Sequence, residues 1–179
     1  MAKTLPIIIN PNPILRKKST EVKAANIISP RFKRLILDME KTMTEKDGAG
    51  LAAPQVGQNV RLLVMNANHY GIIVMINPKI TKKSWAKEID EEGCLSVLDS
   101  EGHILYAPIA RHKKINCLYI NALGQKQKII AEGLLARIIQ HEVDHLDGIL
   151  FIDYLTDKKV LRTLSDEEKD ARRKKTKAE

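Results

Sequence analysis

Two histidines four residues apart, with a glutamate directly after the first, are the strongest chemical signal in this chain: His141-Glu142-Val143-Asp144-His145. In an α-helix four residues turn the chain by about 400° and advance it roughly 6 Å, so both imidazoles lie on one face and can share one metal ion. Glu142, about 100° round the helix, is placed to serve a water instead of the ion. Residues 132–140, which precede the pair, are rich in helix formers and hold no Pro and no Gly after Gly133, which predicts a helix of about four turns. Two histidines at this spacing also occur on ordinary surface helices. A catalytic metal usually takes three protein ligands and keeps an open position, so the reading turns on the third ligand.

Two parts of the chain offer one. A thermolysin-like site would use a downstream carboxylate, and Glu167 and Glu168 stand at about that distance, but Ser165-Asp166-Glu167-Glu168 reads better as an N-cap with its capping-box Glu. The other candidate is Cys94, which follows Asp90-Glu91-Glu92 and Gly93, as though a strand met the metal through a glycine turn. Cys117, in the apolar run Ile115-Asn116-Cys117-Leu118-Tyr119-Ile120, reads as a small buried hydrophobe. A disulfide between the two cysteines is disfavoured, because no N-terminal signal peptide is visible and a reducing compartment is expected. A nucleophilic Cys94 activated by His fits less well than a ligand, since the helical pair carries its own Glu.

A third segment belongs with these. Residues 48–57 are a run of small residues closing on Gln55. As structure alone this is a tight loop with close backbone packing. At a hydrolase site, small residues let a peptide backbone approach and Gln55 offers an uncharged N–H donor.

In this order the three segments resemble the signatures of the peptide deformylases, GxGLAAPQ, EGCLS and HExDHLxG. Here they run from Gly48 to Gln55, from Glu92 to Ser96 and from His141 to Gly148. Pro11-Asn12-Pro13-Ile14-Leu15-Arg16 also resembles the family's opening, so the likeness spans about residues 7–155. It implies removal of the N-formyl group from the formyl-methionine of new polypeptides, with release of formate. By the same resemblance Cys94, His141 and His145 bind one divalent metal, Fe²⁺ in preference to Zn²⁺, Ni²⁺ or Co²⁺, and Glu142 is the general acid and base. The Gln55 side chain and the Leu95 backbone N–H become the oxyanion donors. Ala49, Gly50 and Gly93 would pair with the substrate backbone, and Leu135, Ile138 and Ile139 would line the methionine pocket. Residues 98–111 depart from the family's Val-x-Arg pattern, with Arg111 as the next arginine, which bears on contacts to substrate residues beyond the methionine.

The rest of the chain sets the frame. Its 179 residues suit a single domain, with a charged helical tail from about residue 157, and no apolar stretch approaches a membrane span. Ser29-Pro30 should start a helix carrying Phe32, Leu35, Ile36, Met39 and Met43 on one face up to Asp47-Gly48. Strands are expected over 60–65, 72–80, 84–89, 104–106, 113–121 and 125–131, the last two joined as a hairpin by Ala122-Leu123-Gly124. The expected fold is α+β, with mixed or antiparallel sheets around a central metal-binding helix, an N-terminal helix and a C-terminal helical tail. His69, His103 and His112 have no obvious partners and read as surface residues. The formal charge is +8, and residues 172–179 carry five positive charges and one negative. That tail is either a solvated helix end or a contact for ribosomal RNA. A cytoplasmic monomer acting on formyl-methionyl nascent peptides is the leading expectation. A thermolysin-like endopeptidase, and a basic ribosome- or RNA-binding protein with a structural metal, are the alternatives.

Overall fold

Ser29 caps the long N-terminal helix by accepting the Phe32 backbone N–H at 3.3 Å, and Pro30 fills the first helical position, where its missing donor costs nothing. The computed structural model describes residues 1–67, 71–168 and 170–171. After the short helix α1 (Ala24–Ile27), helix α2 (Pro30–Glu45) buries Phe32, Ile36, Met39 and Met43 at helical spacing, with Leu35 partly covered. Its face packs on the first strands of a five-stranded antiparallel sheet.

That sheet consists of β1 (Gly50–Ala52), β2 (Leu62–Asn66), β3 (Ile72–Lys83), β6 (Lys114–Ile120) and β7 (Lys126–Glu132), in the order β1-β2-β3-β6-β7. β2 is apolar on both faces because both are covered. Leu62 and Val64 meet α2, while Leu63 and Met65 meet α3 (Gly133–Leu146), which contributes Ala136, Ile139, Val143 and Leu146. α3 ends at Gly148 for a physical reason. This residue has φ +77°, and a Cβ there would stand 2.7 Å from the Arg16 carbonyl oxygen, so only glycine fits the turn.

The second sheet is a two-stranded ribbon of β4 (Lys87–Leu98) and β5 (Ile104–His112). The expected strand 84–89 begins later and continues to Leu98, so Gly93 is no turn but lies in the strand opposite Tyr106. The acidic run is held because alternate side chains point to opposite faces: Glu92 is buried, and Glu91 pairs with Arg162 at 2.8 Å on the surface. β5 also runs beyond 104–106 and through Pro108, which a ribbon with a free edge tolerates. The atypical connection after Leu98 is a short turn in which the Asp99 carboxylate accepts the N–H groups of Glu101 and His103.

His103 is exposed with its ring beside Asp99, as a surface residue should be. His112 is half-buried instead, with Nδ1 2.6 Å from the Ser84 carbonyl, and His69 lies outside the described residues. Ser165 and Glu168 form the expected reciprocal cap, at 2.8 and 3.2 Å. The helix begins only at residue 166, because Arg162 bridges to Tyr106 through the backbone and Leu164 is buried. Residues 172–179, with the basic run, lie outside the described residues. Among those described, no helix is long and apolar enough to cross a membrane.

Candidate metal centre and active site

α3 presents His141 and His145 on one face with ring centroids 5.0 Å apart. The β4–β5 ladder loses its regular register between Gly93 and Leu98, and such an irregularity re-aims side chains. Cys94 lies there, its Sγ 3.2 Å from His145 Nε2. One ligand atom from each of Cys94, His141 and His145 falls within 4.8 Å of the others, all three residues buried, on the scale of donors held 2.0–2.3 Å from one ion. A sulfur and two imidazole nitrogens form a donor set suited to a borderline-soft divalent ion.

Glu142 supplies the test of whether an ion and a water belong here. The residue is buried, and its Oε2 has no hydrogen-bond partner among the described residues, a costly state unless a polar occupant meets it. Burial is the main force that pushes its pKa up to about 7, with the Glu92 and Asp144 charges adding to it and His141 opposing. Gly50 makes this placement possible, since a Cβ on it would stand 2.6 Å from Glu142 Oε1.

Gln55 sits in the one-turn segment Ala53–Val56 after β1. The Ala52 N–H donates to its Oε1 at 2.8 Å, which fixes the amide so that Nε2 points to Ser96 Oγ at 3.2 Å and Cys94 Sγ at 3.5 Å. The Ser96 N–H also approaches the sulfur, at 3.4 Å. Leu95 follows Cys94 and touches the Gly48 region, so the first and second motifs meet beside the third.

The residues expected to bind substrate are divided. Ala49 and Gly50 lie on or beside β1, the edge strand of its sheet. The Tyr106 ring fills the space over Gly93. Ile138 and Leu135 share the helix face that leads to Glu142; Ile138 and Ile139 are both buried in the cluster with Leu63 and Met65, and Leu135 is half-buried against it.

His141 is held by a buried charge cluster that no motif spacing predicts. Glu92 accepts from His141 Nδ1 at 2.9 Å, from Arg111 at 2.8 and 2.9 Å and from Arg137 at 2.8 Å, and Arg111 also pairs with Asp144. Glu92 thereby leaves His141 Nε2 free to face the ligand cluster. Burial opposes ionisation of Glu92, but the Arg111 and His141 hydrogen bonds outweigh it and hold its pKa well below the usual range. Burial likewise opposes charge on His141, yet hydrogen bonds to Cys94 and Glu92 keep its pKa well above ordinary; His145, buried beside His141 and Arg111, is shifted well below. His141, Glu92 and Asp144 lie inside motifs, Arg111 in the departing segment and Arg137 in the helix-forming run 132–140. The pairing follows from strand register, which no motif encodes. Cys117, as expected, is a buried free thiol, with burial pushing its pKa up to about 11.

Residues 4–160 match the family model described as Polypeptide deformylase. The chain belongs to the polypeptide deformylase family. Among curated deformylases it is 43% identical over 155 residues to the peptide deformylase of Rhizobium meliloti (strain 1021), covering 84% of each chain. An actinonin-bound class I type b peptide deformylase from Acinetobacter baumannii superposes with a TM-score of 0.80 at 34% identity, over 87% of this chain and 100% of that one. The peptide deformylase from Thermotoga maritima gives a TM-score of 0.76 at 38% identity, over 86% and 99% of the two chains. Membership sets aside the thermolysin-like alternative, and the geometry agrees: Glu168 is occupied by Arg162 and Ser165, and Glu167 is exposed.

Proposed function

We propose that this deformylase hydrolyses the N-formyl group from the formyl-methionine of new polypeptides, releasing formate. The observation that carries the reading is a buried carboxylate, Glu142, with an unpartnered oxygen beside the Cys94, His141 and His145 cluster. Cys94, His141 and His145 would hold a divalent ion, Fe²⁺ in preference to Zn²⁺, Ni²⁺ or Co²⁺, which would supply a lowered pKa for water and polarisation of a carbonyl. Glu142 takes the proton from the attacking water and delivers it to the nitrogen that leaves as the peptide amine.

As the formyl carbon becomes tetrahedral, negative charge grows on its oxygen. Gln55 Nε2, already oriented by Ala52, and the Leu95 backbone N–H donate to it. The extended substrate adds along the edge of β1, beside Ala49 and Gly50, with Gly93 opposite. The methionine side chain packs against Ile138 and Leu135, worth about 1.5 to 3 kcal/mol when buried, with Ile139 bracing the helix from the core side.

Formate release from a formyl-methionyl peptide, by metal-loaded protein prepared without oxygen, tests this reading, and no formate would overturn it. The metal content of the same preparation tests Fe²⁺. Gln55→Leu should lower kcat/KM by about 10² to 10³, the effect of losing one oxyanion donor, while metal content stays that of the parent. Full turnover by that variant would remove Gln55 from the mechanism. A cytoplasmic, monomeric protein whose basic residues 172–179 touch ribosomal RNA belongs to the same reading, and ribosome cosedimentation of protein truncated after Asp170 bears on the tail.

A further inference from the structure

The only tryptophan of the chain takes no part in the core or the site. Trp85 is 100% exposed at the turn between β3 and β4. Leaving an indole in water forgoes a large burial gain, so its setting matters. Lys82 and Lys83 precede it, Lys87 follows, and the β5–β6 connection adds Lys113 and Lys114, all exposed. Lys114 pairs with Glu132 at 2.6 Å, while Lys82, Lys83, Lys87 and Lys113 enter no ion pair among the described residues. Four lysines without an ion pair among the described residues thus share the β3–β4 turn and the adjoining β5–β6 connection with one exposed aromatic ring.

The turn is held in place. The Ser84 N–H donates to the Lys114 carbonyl at 2.8 Å, the Lys113 N–H to the Ala86 carbonyl at 2.9 Å and the Lys114 N–H to Ser84 Oγ at 3.1 Å. His112 Nδ1 meets the Ser84 carbonyl at 2.6 Å. The ring thus projects from a braced platform, and little ordering entropy is left to lose on binding. Lys83 and Lys87 also rim a cleft of about 560 Å³, together with Lys79 and Ile89. Its two carboxylates are already matched, Asp147 by Arg61 and Asp144 by Arg111, so the remaining field in the cleft is positive.

We propose that the Trp85 turn is a contact for single-stranded RNA, with one base stacked on the indole and phosphates on Lys82, Lys83, Lys87 and Lys113. A bare ring among lysines meets both requirements of a single strand, a stacking surface and a charged track. A duplex hides its bases and would use only the lysines. A membrane surface is a poorer match, because interfacial anchoring buries a face of several apolar side chains and Trp85 stands between Ser84 and Ala86. RNA is chosen over DNA because the proposed activity concerns newly made polypeptides, and the choice rests on that reading.

The test uses the full-length, metal-loaded protein and a labelled twelve-nucleotide mixed-sequence RNA, read by fluorescence anisotropy, with quenching of the lone tryptophan as a second signal. Trp85→Ala should weaken binding about ten-fold and Trp85→Phe should retain most of it. Lys82→Glu with Lys113→Glu should abolish it. Raising salt from 50 to 200 mM should cost about fifty-fold for some four phosphate contacts. Unchanged melting temperatures would show that the variants fold, whatever the outcome of the formate assay. The proposal is overturned if Trp85→Ala binds like the parent, or if a duplex of the same sequence binds as well as the strand. It is equally overturned if single-stranded DNA, polyglutamate or vesicles of phosphatidylglycerol bind more tightly than the RNA.

Discussion

Glu142→Gln should lower kcat for formate release by about 10³, within the range of about 10² to 10⁴ for loss of a positioned general acid and base, while the bound metal remains. The two side chains are nearly isosteric, so the amide can occupy the same buried space against Gly50. What it cannot do is accept a proton at neutral pH. The His141, His145 and Cys94 donors are untouched by the change, so metal content measured by atomic absorption should equal the parent's. KM should move little, because the acid and base act on the reacting atoms and not on the methionine side chain. A loss smaller than ten-fold with metal in place would mean that another group moves the proton.

The second large effect is on stability. Glu92→Ala should destabilise the fold by about 3 to 5 kcal/mol, the usual cost of removing one partner from a buried ion pair. Glu92 is buried and accepts from both Arg111 and Arg137, whose guanidinium groups are also buried. Without it two charges remain in the interior, Arg111 with Asp144 and the face of Tyr154, and Arg137 with backbone carbonyls. In a chain of this size the melting temperature should fall by about 10 °C. Glu91→Ala, one residue earlier on the opposite face, is the control: its surface pair with Arg162 is screened by solvent and contributes little. If both variants melted within a degree of the parent, the cluster would have no structural weight. Glu92→Gln, which keeps one acceptor oxygen, should fall between the two and is the variant in which to measure metal affinity, expected to drop about 10- to 100-fold.

These two residues mark what the sequence does and does not reveal. The α3 chemistry is legible because helix geometry is local: four residues bring His145 under His141 wherever the helix packs, and the observed helix has the expected extent. The helix start at Ser29 and the hairpin between β6 and β7 are legible for the same reason, since caps and short turns depend on near neighbours. The Glu92 cluster depends on partners 19, 45 and 49 residues away, brought together by the β4–β5 register and the packing of α3. Three consecutive acids look like a solvated turn until pairing assigns alternate faces, and Gly93 then looks like a hinge when it is a strand position under Tyr106. Ile138 and Ile139 are both buried in the cluster with Leu63 and Met65, and since one residue on a helix is a turn of about 100°, the two meet different neighbours there, which motif spacing alone does not assign.

The irregular register of β4 near Cys94 has a consequence for error tolerance. Side chains along a strand alternate, so a slip of β4 by a single residue would swing the sulfur outward and offer the ion either Gly93 or Leu95, neither of which can ligate. The slipped ribbon would also carry Glu92 off Arg111 and Arg137, stranding both cations. The misaligned chain is thus penalised twice, and the arginines that never touch the ion act as its proofreaders.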